Sequence, residues 1–236
     1  MTYVHNPKSE VSPYSDLRVA ITRQGRKLVN ALVNDRYCGT YCDPEGLRVV
    51  DVESDGDPDV LLDLYSGGAH CCNVTEVFRY STALRTYTKI DHVWGDPGYK
   101  LDKLGGSKAE EFVTYDDLFA YKFTAYAFSG LPIDILRLEN GAFKDVSADY
   151  PALVRSDAAK EWGYWQSNRK EGTGLGFLAA WAADEYTLGR GAAAASTLAQ
   201  FERAGQLHSG SGYPWVGGAK FIVQLNKFLR KIGYEH

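Results

Sequence analysis

Apolar and polar residues alternate with a period of two through the first two thirds of the chain, and recur with a helical period in the last third. Leu17, Val19 and Ile21 alternate with polar neighbours, Gln24-Gly25 supplies a turn, and the chain returns from Leu28 onward. That pattern predicts a hairpin over 17–33. Further strands are predicted at 47–52, 60–65, 74–80 and 87–94, with 38–44 as a loop and Gly67-Gly68 as a break. A second round follows: a strand at 112–115, an aromatic alternating stretch at 119–127, and a hairpin of 133–138 with 143–146 around Asn140-Gly141. Turns near Gly25, Ala83 and Gly141 recur at about sixty residues, which suggests repeated sheet units. Residues 1–16 read as an extended arm.

Past Tyr150 the period changes. Helices are predicted at 158–168, 175–188, 192–204 and 219–232. The last places Phe221, Ile222, Leu225, Phe228, Leu229 and Ile232 on one face, and Gly233 stops it. The expected fold is α+β: a β-rich region over 1–150 made of antiparallel, blade-like sheets, and an α-helical region over 151–236 packed on it.

Composition narrows the function. The 236 residues carry 44% apolar and 24% charged side chains with a net charge of -4. This describes a folded chain and argues against a nucleic-acid binder, because affinity for phosphates needs clustered Lys and Arg. No run approaches the ~20 apolar residues of a membrane span.

Cys38, Cys42, Cys71 and Cys72 form two tight clusters. Cross-links between the clusters are the favoured pairing, each closing a loop of about thirty residues and stabilising by roughly 3 kcal/mol. The rival is a zinc site from these thiols and His70. Disulfides imply an oxidising compartment, so a secreted or extracytoplasmic protein is expected. Residues 1–16 hold no apolar signal core, and the expectation is that a signal peptide was removed. Asn73-Val74-Thr75 fits a glycosylation sequon.

The most informative segment is 51–59, Asp-Val-Glu-Ser-Asp-Gly-Asp-Pro-Asp. Side-chain oxygens fall at Asp51, Glu53, Asp55 and Asp59, with Gly56 at the sharp turn and Asp57 placed to give a backbone carbonyl. Calcium takes six to eight such hard oxygen ligands. An EF-hand is excluded by Leu62 at the twelfth position and by strand-like flanks. Carboxylates at alternate positions would repel one another without a cation, so one Ca2+ is expected here.

This loop, followed by Val60-Leu61-Leu62, resembles the calcium loop of FG-GAP/VCBS-type repeats, with Glu53 in place of the usual Asp. Together with Gly67-Gly68-Ala69-His70-Cys71-Cys72 and 116–121, it is similar to uncharacterised secreted bacterial proteins carrying such repeats. The resemblance covers roughly 17–150. It implies an extracytoplasmic, calcium-bound sheet protein and carries no known activity. In the second copy, Glu111 aligns with Asp59, but Lys103, Gly105 and Ser107 stand where acids should be, so one calcium site is expected. Two or three such units cannot close a propeller, and an open or stacked set of sheets is expected.

Catalytic candidates are few. His70 and Cys72 could pair as base and nucleophile. Asp116 or Asp117, with Glu110, Glu111 or Asp91, could form a carboxylate pair for polysaccharide hydrolysis. Trp162 and Trp165 could stack on sugars, although three-residue spacing on a helix favours a core plug. The leading expectation is a calcium-stabilised binding or surface-interaction module whose partner is a carbohydrate or a cell-surface protein. The alternative is an extracellular polysaccharide-acting hydrolase.

Overall fold

The computed structural model describes residues 2–5, 14–34, 36, 42–210 and 214–234. They fall into two compact units, 1–114 with 137–144 and 115–136 with 145–236. The division therefore differs from a single break at Tyr150. The chain leaves the first unit after Thr114, returns for the short segment 137–144, and leaves again.

The first unit is built from antiparallel meanders. Strands β1 (Thr2–His5), β2 (Tyr14–Arg23) and β3 (Arg26–Leu32) form a three-stranded sheet. The β2–β3 hairpin turns at Gln24 and Gly25, both with positive φ, the conformation a two-residue turn demands. A second sheet runs β4 (Asp43–Val50), β5 (Asp59–Gly68), β6 (Cys71–Ser81) and β7 (Thr86–Gly95) in order. A third takes β8 (Lys100–Asp102), β9 (Glu111–Tyr115), β10 (Ile133–Glu139) and β11 (Ala142–Asp145), again in chain order. The two consecutive four-stranded meanders agree with the expected antiparallel sheets, and each is open at its edges among the described residues.

Alternation decides what each face of the second sheet buries. Val60, Leu62 and Leu64 on β5 and Val74 and Phe78 on β6 cluster with Leu17, Val19 and Ile21 of β2. The other face of β5 and β6 shows Leu61, Asp63, Thr75 and Val77, so the two central strands are covered on both sides and read as near-continuous apolar runs. Around Trp94, which is 2% exposed, sit His92 at 4.1 Å, Tyr99 at 4.4 Å, Phe112 at 5.3 Å and Phe143 at 5.5 Å. Burial in this aromatic setting lowers the His92 pKa to about 4.

The second unit holds α1 (Pro151–Asn168), α2 (Leu175–Thr187), α3 (Gly191–Arg203) and α4 (Gly218–Ile232). Helix α2 is buried almost all round, as its Ala- and Leu-rich sequence dictates. Phe221, Leu225, Phe228 and Leu229 of α4 pack into the same core. Gly233, at φ 98, ends α4 by returning its own N–H and that of Tyr234 to Leu229 O, both at 3.0 Å. The rings of Trp162 and Trp165 lie tilted 4.9 Å apart, and Trp165, at 1% exposed, stacks on Phe201 at 4.5 Å. They plug this unit's core rather than present a sugar platform. The alternating stretch at 119–127 is not a strand. It contains parts of two 3-10 turns, Asp117–Phe119 and Tyr126–Phe128, because the Asp116 side chain caps the first through Leu118 N–H.

Candidate functional site

The acidic loop enters β5 and folds on its own backbone. Asp51 accepts from Asp55 N–H at 3.0 Å and Gly56 N–H at 2.9 Å, and Asp55 accepts from Asp57 N–H at 2.9 Å. Gly56 takes φ 91 at the turn, where a side chain would be strained. Asp59 is 3% exposed and accepts Val52 N–H at 3.2 Å. Burial first, and then the charges of Asp55, Asp51 and Asp57, push its pKa to about 7 against that hydrogen bond. No basic side chain pairs with Asp59 among the described residues.

Glu53 and Asp57 are occupied elsewhere. Glu53 pairs with Arg79 and takes Asn140 N–H at 2.8 Å. Asp57 pairs with Arg23, whose guanidinium also lies over the Tyr80 ring at 4.0 Å. Glu53, one of the expected ligands, thus has a protein counter-charge in Arg79. Among the described residues no three His, Cys, Asp or Glu side chains stand in an arrangement that could hold a metal ion. Asp51 and Asp59, which have no ion pair among the described residues, and Asp55, whose carboxylate lies 4.0 Å from Arg79, fit a hard cation by donor type, not by finished geometry.

The segment leading into β9 holds a buried acid of its own. Glu111, at the start of β9 as Asp59 is at the start of β5, accepts Leu104 N–H at 3.3 Å over the same seven-residue interval. Glu111 is fully buried and receives Arg137 Nη2 at 2.6 Å and Nε at 3.0 Å. Glu111 thus has a protein cation, and Asp59 has none among the described residues.

The cysteines correct an expectation. Cys71 pairs with its neighbour Cys72, and Cys42 is also disulfide-bonded. Cross-links from Cys42 to the 71–72 pair are excluded, and Cys38 lies outside the described residues. With the thiols oxidised, neither the zinc site nor the His70–Cys72 nucleophile stands. His70 is an exposed residue in the β5–β6 turn. The sequon is also closed: the Asn73 amide donates to Gly95 O at 3.1 Å and Asp96 O at 3.0 Å, and Thr75 is fully buried.

In the second unit Asp116 lines a cleft of about 470 Å3 with Asp134, Asp145, Tyr186, Thr187 and Tyr234. Tyr234 donates its hydroxyl to Asp116 at 3.2 Å. Burial raises the pKa of Asp116, and it raises that of Asp134 to about 7 with help from Asp145 and Asp116. The sequence pointed to Asp116 but missed Asp134 and Asp145, which the 133–146 hairpin delivers. Asp117 is not among the lining residues. The proposed partners are engaged elsewhere: Glu110 with Lys103 at 3.6 Å, Glu111 with Arg137, and Asp91 with Arg36 at 3.6 Å.

The second unit also holds a buried acidic trio, Asp157, Glu161 and Asp184. Asp157 accepts Ile133 N–H at 3.0 Å and pairs with Lys160 at 2.5 Å. Neither Asp184 oxygen meets a donor. Its pKa rises to about 9 through burial and the charges of Asp157 and Glu161, and Glu161 rises to about 7 mainly through burial.

The fold is that of an α+β protein, with antiparallel sheets and a helical unit. No family model matches the chain, and no solved structure matches it. The chain is 30% identical over 162 residues to a probable thylakoid lumen protein, sll0997, of Synechocystis sp., covering 61% of this chain and 44% of that protein. It is 26% identical over 177 residues to the uncharacterized protein y4bJ of Sinorhizobium fredii, covering 72% of this chain and 28% of that one. The chain thus spans less than half the length of these curated relatives.

Proposed function

We propose that this chain is an extracytoplasmic binding module of FG-GAP/VCBS-like blades, stabilised by one calcium ion at 51–59. The observation that carries the reading is the contrast between Asp59 and Glu111. Both are buried acids at the head of the second strand of a meander, but only Glu111 has a cation from the protein. Asp51, Asp55 and Asp59, with the Asp57 carbonyl, would hold the ion, which would supply the missing positive charge. The extracytoplasmic setting is supported by the oxidised cysteines and by the printed description of the Synechocystis relative. Calorimetry with calcium, and melting with and without chelator, test the proposal. A heat of binding and a chelator-sensitive melting temperature support it, whereas the absence of both overturns it.

A second reading, polysaccharide hydrolysis, draws on the cleft of the second unit. Asp134, held near pKa 7 by burial, suits a general acid, and Asp145 is the exposed carboxylate beside it. Release of reducing ends from polysaccharides, abolished by Asp134→Asn, would support this reading.

A further inference from the structure

The first unit contains a cavity of about 350 Å3 that the calcium reading does not use, at the lower end of small-molecule sites. Glu45, Arg48, Asp63, Asn73, Thr75 and Tyr99 are among its lining residues. Its polar wall is tightly built. Asp63 accepts Tyr99 OH at 2.8 Å, Thr75 OH at 2.7 Å and Arg48 Nη2 at 2.8 Å, and Trp94 Nε1 donates to Thr75 at 2.9 Å. Arg48 also bonds the Tyr99 hydroxyl and lies over its ring at 4.9 Å. Gly46 lets Asp63 take this position, since a Cβ there would lie 3.1 Å from the carboxylate.

Three groups in this wall keep unused capacity. Only Nη2 of Arg48 is committed, leaving the Nε and Nη1 N–H groups without a partner among the described residues. Asn73 spends both amide hydrogens on Gly95 O and Asp96 O, which leaves Oδ1 as an acceptor. Glu45 lines the cavity and has no ion pair among the described residues. A held guanidinium edge, a carboxylate and an amide oxygen complement a ligand with both an anionic and a cationic end. A neutral sugar fits less well, because the aromatic faces are taken: Trp94 stacks on Tyr99 and Phe112, and Tyr99 is covered by Trp94 and Arg48.

We propose that this cavity binds a small zwitterion, a free amino acid or short peptide, with its carboxylate on Arg48 and its ammonium on Glu45 and Asn73 Oδ1. The proposal rests on the binding-module reading of this unit but not on its calcium. The test is melting of the full chain with each of the twenty free L-amino acids and glycylglycine at about 10 mM. A shift of about 2–4 °C is expected for at least one of them. The doubly blocked N-acetyl amide of the same residue should give none. Glu45→Gln, at an exposed position that leaves the Asp63 network intact, should remove the shift, as should Arg48→Gln. No shift with any zwitterion, an equal shift with the blocked derivative or with neutral hexoses, or a shift that survives both substitutions overturns the proposal. A parallel calcium titration separates the two readings: calcium binding without amino-acid binding rejects the cavity alone.

Discussion

Arg137 sets its guanidinium 2.6 Å from a Glu111 carboxylate that has no exposure to solvent. Removing one partner of such a pair leaves an uncompensated buried charge, which costs about 3–5 kcal/mol. Arg137→Met should lower stability by that amount in urea denaturation. Adding Glu111→Gln should restore most of the loss, because the charge that needed compensation is gone.

Asp59 would make the proposed calcium site depend on pH. Its folded pKa, near 7, lies above the ordinary carboxylate value. Its protonated form therefore stabilises the fold fully below about pH 4, and that contribution is lost as pH rises through 7. A cation would replace the proton. The rise in melting temperature on adding calcium should be larger at pH 8 than at pH 5, and Asp59→Asn should reduce it at both.

The buried acids of the second unit act in the same direction. Asp134 and Glu161 near 7 and Asp184 near 9 are all raised. Their stabilisation is complete below about pH 4 and declines as pH passes first 7 and then 9. Helical circular dichroism should melt at progressively lower temperature from pH 5 to pH 9. Asp184→Asn keeps the shape, offers Asp157 a donor without a titrating proton, and should flatten the upper part of that slope.

Gly176 lies inside α2, where replacement by alanine ordinarily stabilises a helix by up to about 1 kcal/mol. Here an added Cβ would lie 2.4 Å from Phe128 O and 2.6 Å from Thr124 Oγ1. Steric conflict outweighs propensity, and Gly176→Ala should destabilise by about 1–3 kcal/mol in chemical denaturation.

Local patterns carried much of the fold. Gln24-Gly25 and Asn140-Gly141 marked their hairpins, Gly233 marked the end of α4, and the helices at 175–188 and 219–232 appear almost as read. The alternation at 119–127 forms no strand, because the Asp116 side chain caps a 3-10 turn at Asp117–Phe119. The cysteine pairing was illegible because spacing alone cannot choose among three connectivities. Asp116 was visible as a candidate, but Asp134 and Asp145 looked like ordinary strand and turn residues. The hydrogen bond from Tyr234 to Asp116, which closes this cleft, spans 118 positions.

The return of 137–144 to the first unit has a consequence for synthesis. When residue 114 leaves the ribosome, Glu111 has been made but Arg137 has not. The first unit cannot reach its final state until the hairpin at Asn140-Gly141 has emerged, by which time 115–136 of the second unit is already present. Domains usually fold one after another from the N-terminus; here the first unit must carry 115–136 as a passenger until 144 is made, and the second waits for 145–236. A nascent chain halted between 115 and 136 would hold an acid still waiting for its counter-ion.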